Sequence, residues 1–141
     1  MRVAAIRSQG FRNLTGRIPF TPNLAILVGE NNAGKSNVVD ACRLLFEAEA
    51  GPRGRPWLTE DDFAHDGNGE SRTDLFELEA QLADLDEGQQ ARMVTCLAPS
   101  LGPGWARLRL RARLTGDGRV DTEWIGGDSN HPTSSAGPAR R

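Results

Sequence analysis

The chain has 141 residues, with 17 basic against 19 acidic side chains for a net charge of −2, and 38% of its residues are hydrophobic. That length suits one domain with a core of its own, and the near-neutral balance excludes a global basic field for gripping a nucleic-acid backbone. No run approaches the roughly 18 apolar residues that span a bilayer. Met1 to Ile6 lacks the apolar core of a secretion signal, so a cytoplasmic chain without membrane contact is expected. Cys42 and Cys96 stand apart in apolar helical settings and read as buried, reduced thiols.

In chain order, residues 2–9 read as a first strand and 16–20 as a second, with Pro22-Asn23 turning the chain into a third segment. In it, Leu24-Ala25-Ile26-Leu27-Val28 is an unbroken apolar run, the pattern of a strand buried on both faces. Gly29-Glu30-Asn31-Asn32-Ala33-Gly34-Lys35-Ser36 then fits the phosphate-binding pattern G-x-x-x-x-G-K-[ST] at every fixed position. From Asn37 to Glu49 the apolar residues Val38, Val39, Cys42, Leu45 and Phe46 recur at helical spacing, and Gly51-Pro52 supplies a stop.

The chemistry is set by that order. Gly29 and Gly34 let the backbone curl close around a phosphate chain with its N–H groups inward. A helix opening near Lys35 adds unpaired amides and the positive end of its dipole. Lys35 supplies a mobile point charge for the β- and γ-phosphates, and the Ser36 hydroxyl suits Mg2+. Lys35 is the sole lysine of the chain; the other 16 basic residues are arginines. The residues expected to bind ATP are thus Gly29, Glu30, Asn31, Asn32, Ala33, Gly34, Lys35, Ser36 and Asn37, with Ser36 also on the metal.

Beyond the helix, Gly51 to Pro56 is a loop by composition, and Thr59 is placed to cap a short helix whose first-turn acids are Glu60, Asp61 and Asp62. Asp61 and Asp62 read as capping charges rather than metal ligands, and His65 as a surface residue. Residues 66–72 form a polar loop. Phe76, Leu78, Ala80 and Leu82 alternate with Glu77, Glu79 and Gln81, the pattern of a half-buried strand over 74–82. Asp86 and Gln89 have capping-box spacing for a helix running to about Ala98.

A hairpin comes next, in a definite register. Gly116-Asp117-Gly118 as a three-residue turn sets Thr115 against Arg119, Arg113 opposite Asp121, Arg111 opposite Glu123 and Leu110 opposite Trp124. Two of the four alternating arginines, 107 to 113, then have acidic partners, and Glu77 and Glu79 can serve the others from a neighbouring strand. A salt-bridged sheet face is favoured over a DNA groove. Residues 127–141 have little to bury and read as a disordered tail.

The wording around the loop resembles a family. Phe11-Arg12-Asn13-Leu14, then Asn23-Leu24, then Val28 through Asn37, and later Asp61-Asp62-Phe63, are similar to the N-terminal ATPase lobe of OLD-family nucleases, with Gabija-type, RecF-like and, more distantly, SMC-type ATPases sharing the pattern. The resemblance covers residues 1 to about 125. It implies an α/β P-loop NTPase of the ABC/SMC-head type, N-terminal lobe only, with a mixed sheet and an antiparallel hairpin. It also implies ATP and Mg2+ as ligands, a second ATPase head or a missing C-terminal half as partner, and roles in DNA repair or phage defence. Arg12, and less strongly Asn13, would lie near the nucleotide; the structural alternative is that Phe11 plugs the core and Arg12 is its solvated neighbour. Gln81 is either the magnesium-touching glutamine of such heads or a plain solvated strand end.

Two parts of such an ATPase are missing from the sequence: an L-S-G-G signature, whose nearest approach is Ser100 to Gly104, and an apolar strand ending in Asp-Glu. No acidic cluster of Toprim nuclease type is present either. The expectation is therefore an ATP-binding lobe with negligible hydrolysis alone, meeting DNA only through a complete assembly. A small P-loop kinase or phosphotransferase, with residues 51–72 as lid, and a non-catalytic remnant working through a partner are the alternatives.

Overall fold

A computed structural model describes residues 1–30, 34–46, 58–65, 72–131 and 134–135. The expected loop at 51–56 and Asn31, Asn32 and Ala33 lie outside the described residues. Six strands form one sheet: β1 (Arg2–Phe11), β2 (Leu14–Pro19), β3 (Leu75–Ala83), β4 (Ala106–Leu114), β5 (Val120–Gly126) and the two-residue β6 (Ser134–Ser135), in the order β2-β1-β3-β4-β5-β6. Every described pairing is antiparallel, so the expectation of a mixed sheet is corrected for these residues.

The reason lies in the run before the loop. Residues 24–28 form no strand; Leu24, Ile26 and Val28 are 68%, 74% and 89% exposed, against the expectation of a strand buried on both faces. A strand apolar on both sides needs neighbours in its plane and cover above and below. No neighbouring strand for it exists among the described residues.

One face of the sheet is the core. Ile6, Phe11, Leu14, Phe76, Leu78, Ala80, Leu110 and Ala112 pack against Val38, Ala41 and Leu45 of helix α1 (Lys35–Phe46). Alternation along each strand puts the charged residues on the other face. There Glu77 pairs with Arg111 at 3.0 Å, Arg111 with Glu123 at 3.4 Å, and Arg107 with Glu79 at 3.5 Å and Asp128 at 3.4 Å. Arg109 instead donates to the backbone carbonyls of Gly127 and Ser129. Three of the four arginines are thus engaged on this face. Arg113 sits opposite Asp121 in register, both exposed, with no ion pair between them among the described residues.

The hairpin has the expected register: Arg113 with Asp121, Arg111 with Glu123, and Leu110 with Trp124. Thr115 meets Arg119 across the turn, and Gly118 takes a φ of +81°. The Asp86–Gln89 capping box is present, but helix α2 (Glu87–Arg92) ends short of the expected Ala98. A 3-10 turn over Val94–Cys96 comes after it, where Thr95 and Cys96 lie against the β5 backbone at Gly126. From the stretch expected as a tail, Asp128 accepts from the Ser100 backbone and hydroxyl, and β6 pairs with β5; most of residues 132–141 lie outside the described ones.

Cys42, half-buried on α1 against the core, has its thiol pKa raised by burial. The thiolate is the reactive form, so iodoacetamide at about pH 8 should modify Cys42 several-fold more slowly in the folded chain than in urea. Equal rates in the two states would show that the thiol is not held in the core.

Candidate nucleotide-binding site

The site is built on the turn between β1 and β2. Phe11 is fully buried, which fixes the end of β1, and Arg12 comes next with a φ of +48°, a left-handed conformation that costs a non-glycine residue about 1 kcal/mol. Strong bonds offset that cost. The Arg12 N–H donates to the Asp62 carbonyl oxygen at 2.9 Å. Its guanidinium gives Nε and one terminal nitrogen to Asp62 Oδ1, at 2.9 and 2.8 Å. The other terminal nitrogen reaches Asn37 Oδ1 at 2.9 Å and Asp40 Oδ2 at 2.6 Å. Burial disfavours the guanidinium charge, but the bonds to Asp40 and Asp62 outweigh it and raise the Arg12 pKa above its usual value.

Helix α1 begins at the motif. Val38 N–H donates to the Gly34 carbonyl at 3.1 Å, closing the first turn. Gly34 has a φ of +98°, which only glycine adopts freely, and a Cβ there would lie 3.3 Å from Asn13 Oδ1. Asn13 in turn accepts from Asn37 Nδ2. No acidic residue sits in the first turn, so nothing negative competes for the amides and positive dipole end that favour an anion. Ser36 is the second residue of the helix. Lys35 Nζ donates to the Gly29 carbonyl, linking the two ends of the loop. Gly29 and Glu30 are exposed.

The structure thus places Gly29, Gly34, Lys35, Ser36, Asn37, Arg12 and Asn13 around one helix start; Asn31, Asn32 and Ala33 fall outside the described residues. Gln81 is elsewhere. It is 4% exposed on the face of the sheet opposite α1, accepting from Arg17 Nε and donating to Glu79, so it is neither a solvated strand end nor beside the loop. Thr59 does cap a short 3-10 helix, Glu60–Asp62, and His65 is exposed and bonded to Arg72, which also pairs with Glu60 and Asp61. Sequence reasoning missed that Asp62 and Asp40 both hold Arg12. The signal available was Asp40, three residues beyond Asn37 and hence on its side of the helix.

No family model matches the chain, and no curated protein matches it. Solved structures do. A structure from work on ATP-driven dimerization and DNA-stimulated activation of SMC ATPases superposes with a TM-score of 0.61 at 20% identity, over 92% of this chain and 73% of that one. An SMC head bound to the C-terminal winged-helix domain of ScpA gives 0.60 at 20% identity, over 92% of this chain and 38% of that one. In fold the chain therefore resembles part of the ATPase heads of SMC proteins. It spans well under half of the second head's length.

Proposed function

We propose that the chain is the ATP-binding N-terminal lobe of an ABC/SMC-type ATPase of the OLD or RecF-like kind, holding ATP with Mg2+ at Gly29 to Asn37. The observation that carries this reading is the full phosphate-binding motif at the start of helix α1, in a chain whose fold resembles part of an SMC ATPase head. Glu30, Asn31, Asn32 and Ala33 supply loop backbone, Gly34 the turn, Lys35 the charge on the β- and γ-phosphates, and Ser36 the protein ligand to magnesium. Arg12 and Asn37 stand at the base of the site. Magnesium, when bound, neutralises phosphate charge, and the chain's part is to hold the phosphates in place.

The lobe works with a partner: a second ATPase head or a C-terminal half carrying the aspartate–glutamate strand, in a cytoplasmic assembly through which DNA is met. Support comes from the exposed run Leu24 to Val28, together with Val39 and Phe46 exposed at 45% and 43% on α1. Apolar backbone of this kind, with no ladder bonds among the described residues, is suited to sheet addition.

Calorimetry on the purified chain tests the reading. ATP with magnesium is expected to give saturable heat that chelation of magnesium diminishes, and a turnover assay is expected to give no steady hydrolysis. Absence of heat under conditions that detect millimolar affinity removes the assignment. Steady hydrolysis lost on Lys35→Ala would instead reveal a complete active site and overturn the need for a partner.

A further inference from the structure

We infer that Asp62, outside the phosphate loop, is a positioning residue for it: through Arg12 and Asn37 its carboxylate sets the Asn13 side chain against Gly34. The inference rests on the nucleotide-binding reading for its consequence, but its geometry stands apart from it.

Asp62 is 5% exposed, a burial that a capping carboxylate at a surface turn does not need. Its two oxygens are divided. Oδ2 accepts the Thr59 N–H at 2.9 Å, which closes the 3-10 cap, while Oδ1 takes both near nitrogens of Arg12. With the Arg12 backbone also bonded to Asp62, the guanidinium has one orientation, and its far nitrogen falls on Asn37 Oδ1 and Asp40 Oδ2 of α1.

That contact decides which way the Asn37 amide faces. An oxygen already accepting from Arg12 leaves the NH2 group for the other side, where it donates to Asn13 Oδ1. Asn13 Oδ1 and Nδ2 then lie 3.3 and 3.7 Å from where a Cβ on Gly34 would stand, walling a residue whose φ of +98° suits glycine. A helix start held in place before the ligand arrives favours tighter binding, because less ordering remains to be done. Converting Asp62 to a neutral amide loosens Arg12, lets the Asn37 amide turn over and frees Asn13, although Asp62 itself lies outside the phosphate loop.

A double-mutant cycle tests this. ATP–magnesium affinity is measured by calorimetry for wild type, Asp62→Asn, Asn13→Ala and the double variant, at a temperature where near-ultraviolet circular dichroism shows each folded. Asp62→Asn and Asn13→Ala are each expected to weaken binding about tenfold, with the double variant within about twofold of the weaker single, since both cut one chain of contacts. Affinity of folded Asp62→Asn within about twofold of wild type, or single effects that multiply to about a hundredfold, overturns the inference. Should Asp62→Asn fail to fold, Asp62→Ser replaces it in the same cycle with the same criteria. Should wild type bind no ATP, the nucleotide reading falls by itself. The positioning claim is then judged on hydrogen exchange of the Val38 amide in Asp62→Asn, or in Asp62→Ser: exchange about tenfold faster than wild type supports it, and unchanged protection overturns it.

Discussion

Lys35→Ala is expected to weaken ATP–magnesium binding by about ten- to a hundredfold while leaving the thermal transition of the chain in place. A hydrogen bond to a charged group contributes about 1.5–3 kcal/mol, and about 1.4 kcal/mol corresponds to tenfold in affinity. The fold is insulated from the change, because the Lys35 ammonium bonds the Gly29 carbonyl and no core residue. That same contact must be released when phosphate arrives, so the lysine exchanges one acceptor for another rather than folding in from solvent. Lys35→Arg is expected to recover little, since a planar guanidinium replaces a slim ammonium in a loop closed by two glycines. Calorimetric titration of the three proteins measures this, and unchanged affinity in Lys35→Ala would separate the motif from nucleotide binding.

The sequence was most legible where two independent patterns had to agree. In the hairpin, apolar alternation and opposite charge both favoured one register, and the strands pair that way. The cap at Asp86 was legible for a similar reason, a side-chain acceptor and a reciprocal partner at fixed spacing. Thr59 was legible as a cap, although its reciprocal partner Asp62 emerged only in the fold. Legibility failed where the answer depended on what lies beside a segment. Leu24 to Val28 states a demand for cover on both faces, but no pattern within it says whether the cover is present, and among the described residues it is not. Gln81 is polar at the end of an alternating run, which leaves a magnesium-touching role and a solvated strand end as its two readings, while Glu79 reads as a partner for the arginines. Gln81 and Glu79 are 4% and 8% exposed, in the midst of arginines from the next strand whose long side chains cover them. Helix α2 stopped early because Val94 and Thr95 are β-branched and the chain there turns to meet β5. For the site itself, the loop residues were evident, whereas the link from Asp62 through Arg12 to Asn37 joins segments 50 and 25 residues apart. No local spacing encodes such a triangle.

Phe76→Ala is expected to be the most destabilising single change outside the site, costing about 3–5 kcal/mol, the range for emptying a buried aromatic position. Phe76 is 1% exposed at the centre of the core, with its ring centroid 5.1 Å from that of Phe11 and 5.0 Å from that of Phe63. The loss reaches the site directly. Phe11 precedes Arg12 and Phe63 comes after Asp62, so the cavity lies under both ends of the ion pair that anchors the β1–β2 turn to the 3-10 helix. Small domains have roughly 5–15 kcal/mol of stability in total, so urea titration should show a large drop in midpoint and, near physiological temperature, a substantial unfolded fraction. Ile26→Asp supplies the contrast. Ile26 is 74% exposed in the run before the loop, and its replacement should shift stability by no more than about 0.5 kcal/mol while reducing self-association or partner binding. An Ile26→Asp penalty as large as that of Phe76→Ala would mean that the run is packed inside this chain already, and the proposal that another sheet segment covers it would be lost.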